Sequence, residues 1–136
     1  MQPEGTITIP ATCVDYSTPT AHVSSGVASA DLVIYATYIT DGTETYSATA
    51  KACAYVSGTA TLANPDLTLK VNRPTVGRIK YNTYQIIDQK TSVTNLVFQS
   101  IVATTIHEII HVLGFDSTLY TTWLDPSLGY PYTTAP

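Results

Sequence analysis

The sequence predicts an α/β layer architecture in which one small sheet is covered on one face by a single long helix. Two observations carry this. Residues 31–82 hold several short runs rich in β-branched and aromatic residues, separated by turn signals. Between Thr91 and Gly114 the apolar period then changes from two to nearly four. Strands followed by one helix of this length pack most simply as a sheet with the helix laid across it. The 136 residues suit one domain with a core of its own.

The opening stretch, to about Ala30, mixes Pro, Thr, Ser and Gly and reads mostly as loop. Thr6-Ile7-Thr8-Ile9 is one edge-strand candidate, ended by Pro10. Asp31 to Ile39 is the most secure strand, closed by the Asp41-Gly42 turn signal. Thr49–Val56 is a second, which Ser57-Gly58 should end. Thr59 to Pro74, with Asn64-Pro65-Asp66, reads as an excursion whose alternating Leu67–Val71 can pair at an edge. Thr75–Asn82 is a third strand, and Tyr84–Asp88 leads out of it.

In the helix, Val93, Leu96, Val97, Ile101, Val102, Ile106, Ile109, Ile110 and Leu113 recur at helical spacing. Thr91 or Ser92 is the expected N-cap, and Gly114 suits a left-handed terminator. After it come Trp123, several Tyr and three prolines without a clear period.

Charged residues are 12% of the chain, the net charge is −4, and Lys and Arg form no cluster able to track phosphates, which argues against nucleic acid as partner. No stretch approaches bilayer-spanning length, and residues 1–30 show no basic start followed by an apolar run. Cys13 and Cys53 are too far apart for C-x-x-C chemistry; on count alone they fit a disulfide, two buried thiols or unrelated residues.

The chemistry sits on the helix, as His107-Glu108-Ile109-Ile110-His111. A spacing of four puts both imidazoles on one face, one turn apart, where both can reach a single ion. Zn2+ is the expected ion, and a catalytic zinc needs three protein ligands plus an open position, so two histidines are not enough. Glu108 projects about 100° round the helix from His107, beside the ion, where it can act as general base toward a water made acidic by the metal. With three His and three Glu in the chain, a chance H-E-x-x-H is roughly a one-in-a-thousand event. The rival reading is a helix whose His and Glu face solvent or satisfy one another.

The longer run His107–Phe115 resembles the metzincins, in which H-E-x-x-H-x-x-G sets a glycine turn after the second ligand. Most metzincins would carry a third histidine at position 117, where this chain has Ser117. Leishmanolysin-like peptidases instead bring that ligand from well downstream, and Leu113-Gly114-Phe115 is similar to theirs. Three upstream blocks, Asp31–Tyr35, Ala52–Tyr55 and Arg73–Asn82, are similar as well, so the resemblance covers about Cys13 to Leu119.

The resemblance implies a secreted or cell-surface zinc endopeptidase acting on protein or peptide substrates, with His107 and His111 as ligands and Glu108 as base. It implies a metzincin-type amino-terminal subdomain with a small, mostly parallel or mixed sheet, and a Cys13–Cys53 disulfide. Leu62–Val71 looks like an insertion relative to the family. Residues 1–136 are then expected to be one partial catalytic domain whose third ligand lies outside this chain. Membrane association would come through parts outside it too. A catalytically inactive adhesion or binding module on the same scaffold is the alternative. His22 reads as a plain surface histidine, whereas Asp116 and Asp125 have the chemistry of improvised oxygen ligands. Trp123, Tyr120, Tyr130 and Tyr132 receive no catalytic role.

Overall fold

The computed structural model describes residues 5–61, 68–87, 95–117 and 119. Its element order is β1 (Thr12–Cys13), β2 (Tyr16–Ser17), α1 (Thr20–Ser25), β3 (Val33–Ile39), β4 (Ala48–Thr61), β5 (Thr68–Asn82), α2 (Thr83–Ile87) and α3 (Asn95–Val112). The α/β expectation holds among these residues.

The main sheet is mixed, in the order β3-β5-β4. β3 runs parallel to β5, from Val33 opposite Val76 to Ile39 opposite Asn82. β4 is antiparallel to β5, from Ala48 opposite Tyr81 to Thr61 opposite Thr68, with its register shifting around Cys53. β4 and β5 are therefore the arms of one long hairpin. Ser57-Gly58 does not end β4; the pairing expected within Leu67–Val71 is seen from Thr68 on and extends through residue 74, so this stretch is strand rather than excursion, because each arm satisfies its backbone donors and acceptors on the other. Residues 62–67, with Asn64-Pro65-Asp66, lie outside the described residues, as do the expected N-caps Thr91 and Ser92.

Successive side chains on a strand point to opposite faces, and β5 uses both. Val76, fully buried, meets Ile9 and Tyr35 in a core that the amino-terminal segment covers, with Ile7, Tyr16, Val27, Val33, Cys53 and Ala54 around it. Its neighbour Gly77 faces the other way, against Val112 of α3. The molecule thus has three layers: amino-terminal segment, sheet, helix.

The amino-terminal layer holds more structure than its composition suggests. Thr6–Ile9 forms only an isolated bridge, Ile7 to Val27, in place of the expected edge strand. The β1-β2 hairpin is tied to the sheet through Cys13, Asp15 and Tyr16. Cys13 is bonded to Cys53, as the family resemblance implies. Asp15 pairs with the buried guanidinium of Arg78 and with Lys80 Nζ at 3.3 Å. Arg78 in turn donates from Nε to Thr37 Oγ1 at 2.8 Å and lies over the Tyr16 ring. Burial pulls the Arg78 pKa below its ordinary value, yet a guanidinium stays protonated in proteins.

The far end of the sheet is fixed by Asn82, which is fully buried. Its Oδ1 accepts from the backbone N–H groups of Asp41 and Tyr84, and its Nδ2 donates to the carbonyls of Asp41 and Glu44. One side chain thereby joins the end of β5, the turn after β3 and the start of α2.

α3 lies on β4 and β5. Its sheet-facing line includes Glu108 and Val112, both buried, with Val97, Ile101 and Ile109 half-buried. Leu96, Val102, Ile106, Ile110 and Leu113, members of the same apolar pattern, are exposed together with Phe98. The helix is apolar nearly all round, so its periodicity located it without saying which stripe meets the sheet.

Gly77 sets the helix–sheet distance, because a Cβ built there would fall inside the Val112 side chain. A glycine within a strand often marks such a close backbone approach. Gly77→Ala is expected to destabilise the chain by about 1–3 kcal/mol through overpacking. Urea unfolding beside the unaltered chain measures it, and an unchanged midpoint would show that α3 can retreat freely.

Candidate metal centre

Helical geometry alone should bring the two histidines of α3 together, and it does. The rings of His107 and His111 have centroids 4.6 Å apart and meet edge to face at 87°. Their Nε2 atoms converge to 3.0 Å. A tetrahedral zinc with nitrogens at roughly 2.0–2.1 Å would hold two of them about 3.3 Å apart, so the pair fits the ion after a small opening. His107 is exposed and His111 half-buried, which leaves the convergence point accessible.

The turn after α3 orients the second ring. Gly114 has φ +113°, in the region that favours glycine. Its N–H donates to His111 O and the Phe115 N–H donates to Ile110 O, both at 3.1 Å, the paired bonds of a Schellman cap. The chain reverses, and the Phe115 carbonyl oxygen comes within 2.8 Å of His111 Nδ1. Leu119, 8% exposed, packs beside Gly114.

Glu108 lies between the two histidines in sequence and is 7% exposed. It shares the sheet-facing side of α3 with Val112 four residues on. Tyr81 Oη donates to Thr105 Oγ1 at 3.0 Å, and Thr105 Oγ1 donates to Ile101 O at 2.8 Å, which ties the preceding turn of α3 to β5.

The remaining candidates lie elsewhere or stay apart. His22 sits on α1 rather than in a loop, and its Nδ1 is 2.8 Å from Tyr35 Oη. Burial, with Tyr16 adding to it, pushes the Tyr35 pKa up. Asp116 stands near Tyr55, whose pKa is raised first by burial and then by that carboxylate. Among the described residues no three His, Cys, Asp or Glu side chains come together around a point. Asp125 and the aromatics at 120, 123, 130 and 132 lie outside those residues. An open cavity of about 650 Å³ is bordered by Thr6, Thr8, Asp31, Tyr55 and Arg73, and neither α3 histidine lines it.

Sequence reasoning found the two histidines and the glutamate. It did not single out Gly77 or the Phe115 carbonyl. Gly77 left a signal, a glycine inside a β pattern. The carbonyl left none, since every residue has one.

The described residues thus form a mixed sheet under a helix that carries H-E-x-x-H. The chain matches the family described as leishmanolysin over residues 2–125, and it belongs to that family of metallopeptidases. No curated protein and no solved structure matches it.

Proposed function

We propose that this chain is the amino-terminal part of a zinc endopeptidase catalytic domain, with His107 and His111 as two ligands and Glu108 as general base. The observation that carries the reading is the 3.0 Å convergence of the two Nε2 atoms beside a buried glutamate, within a member of the leishmanolysin family. A catalytic zinc takes three protein ligands, so the third comes from outside the described residues. Bound there, zinc would polarise the scissile carbonyl and acidify a water.

The residues of this chain do the rest. His107 and His111 would hold the ion through their converging Nε2 atoms. Glu108 accepts the proton of the attacking water and returns it to the departing amine. Val112 against Gly77, and Tyr81 against Thr105, keep α3 and therefore Glu108 in place on the sheet. The substrates are proteins or peptides. The setting is extracellular or at the cell surface, which the Cys13–Cys53 bond supports, because such bonds persist in oxidising compartments. Any membrane attachment would come through parts outside this chain.

The test uses the complete protein containing this chain. It should cleave peptide substrates, lose that activity to a chelator and regain it with added zinc. Zinc retained with no hydrolysis of a broad peptide library would instead assign the alternative, an adhesion or binding module on the same scaffold. Activity indifferent to chelation would remove the metal from the reaction.

A further inference from the structure

The cavity of about 650 Å³ lies between the amino-terminal layer and the sheet. Its size suits a small ligand or a few residues of extended chain. Residues 5–8 form one wall, and residues 54–56 of β4 with Arg73 and Thr75 of β5 face them across it. The first wall is a strand edge. Thr6 and Thr8 are exposed while Ile7 is half-buried and Ile9 buried, the alternation of an extended chain. Ile7 exchanges both of its backbone bonds with Val27, at 2.8 and 3.0 Å. Along an extended chain successive residues turn their N–H and C=O groups to opposite sides, so Thr6 and Thr8 turn theirs away from Val27. Neither enters a backbone hydrogen bond among the described residues, and both border the cavity. Gly26 lets this wall approach closely, since a Cβ there would fall against Thr6 and the Ile7 carbonyl.

The charges are few. Among the described residues that border the cavity, Arg73 is the one cation and Asp31 the one anion. Their ion pair is loose, at 3.7 Å with side chains 55% and 96% exposed, and a surface pair of this kind contributes little. Arg73 Nη1 also donates to the Asp31 carbonyl at 3.2 Å, which holds the side chain at the cavity. A guanidinium carries five donors in a planar fork, so it can still take an incoming carboxylate through two parallel bonds. Asp116 stands near Tyr55, on the far side, so an acidic group is favoured only at the Arg73 end.

We propose that this cavity is a docking slot for an extended acidic segment of a partner protein. The segment adds a strand along Thr6–Thr8 and sets a carboxylate on Arg73. Main-chain bonds to the open edge supply affinity, and the guanidinium supplies the choice of an acidic residue. Asp31 is the internal competitor, which an incoming carboxylate displaces from Arg73. Neither α3 histidine lines the cavity, so docking there is separate from the metal centre and does not rest on the metallopeptidase reading.

The experiment is fluorescence anisotropy on the complete protein containing this chain, with chelator present and mass spectrometry confirming that the probe stays intact. The probe is a labelled, amidated seven-residue peptide of alternating Thr and Val with one central Glu. One control carries Gln in place of that Glu, and another carries Pro on both sides of it. Saturable binding of the Glu peptide is expected, with the Gln peptide about tenfold weaker. The Pro peptide should not bind, because proline cannot donate to a strand edge. Arg73→Gln should bring the Glu and Gln peptides level, and Asp31→Asn should tighten the Glu peptide about two- to fivefold. A photoreactive version of the probe should cross-link to residues 5–8 and 54–56. Equal binding of the Glu and Gln peptides by the unaltered protein overturns the proposal without any variant having to fold. Binding of the Pro peptide or cross-links to α3 overturn it too. So does the absence of saturable binding, the result if a second copy or the protein's own upstream residues take the slot. A protein that docks the peptide and hydrolyses nothing would overturn the metallopeptidase reading alone, and an active peptidase that docks none would overturn this proposal alone.

Discussion

Glu108→Gln in the complete protein is expected to cut peptide hydrolysis by about 10²–10⁴-fold while leaving the zinc content unchanged. Gln matches Glu in shape, so the packing of this 7% exposed side chain against the sheet side survives. What disappears is the ability to take a proton from the attacking water and return it to the leaving amine. His107 and His111 are untouched and still converge. Steady-state kinetics with parallel metal analysis checks both halves. Retained activity would remove Glu108 from the mechanism, whereas lost zinc would make its role structural.

The second large effect concerns the amino-terminal layer. The Cys13–Cys53 bond closes a sequence separation of 40 residues. Loop-closure entropy for a loop of that length is about 4 kcal/mol, roughly a thousandfold in the folding equilibrium. A Cys13→Ala/Cys53→Ala double variant is expected to lose about that much stability in urea. The cost should fall on one layer first, because the bond holds the β1-β2 hairpin against the edge strand β4. With it gone, Asp15 still pairs with Arg78 and Lys80, and Ile9 still meets Val76. Local exchange of backbone amides in residues 5–27 should therefore rise before global unfolding. A midpoint within error of the unaltered chain would show that these contacts suffice without the bond.

Much of the candidate site was legible in the sequence because an α-helix turns spacing directly into geometry. Residues four apart must share a face, so spacing alone places His107 and His111 together. Gly114 could be read as a terminator for a similar reason: left-handed backbone selects glycine. The strands were less legible, since pairing depends on residues far apart in the chain. Ser57-Gly58 looks like a stop in isolation, yet β4 continues through it because residues 68–73 lie alongside. The parallel pairing of β3 with β5 has no local signature either.

The apolar run of α3 exposed a different limit. A helix apolar nearly all round can face the sheet in several ways, and the choice is made at Gly77, the one point on β5 where Val112 can approach so closely. That contact turns Glu108 inward and leaves Ile106 and Ile110 outside. A sequence pattern reports which residues could be buried. The partner surface decides which are.

The proposed function requires that His107 and His111 together hold a metal. The most direct measurement is the zinc content of the purified complete protein beside a His107→Ala/His111→Ala double variant, after dialysis against a mild chelator. One zinc per chain is expected in the unaltered protein and none in the folded double variant. Zinc retained by the variant, or absent from the unaltered protein under conditions where it is active, would contradict it.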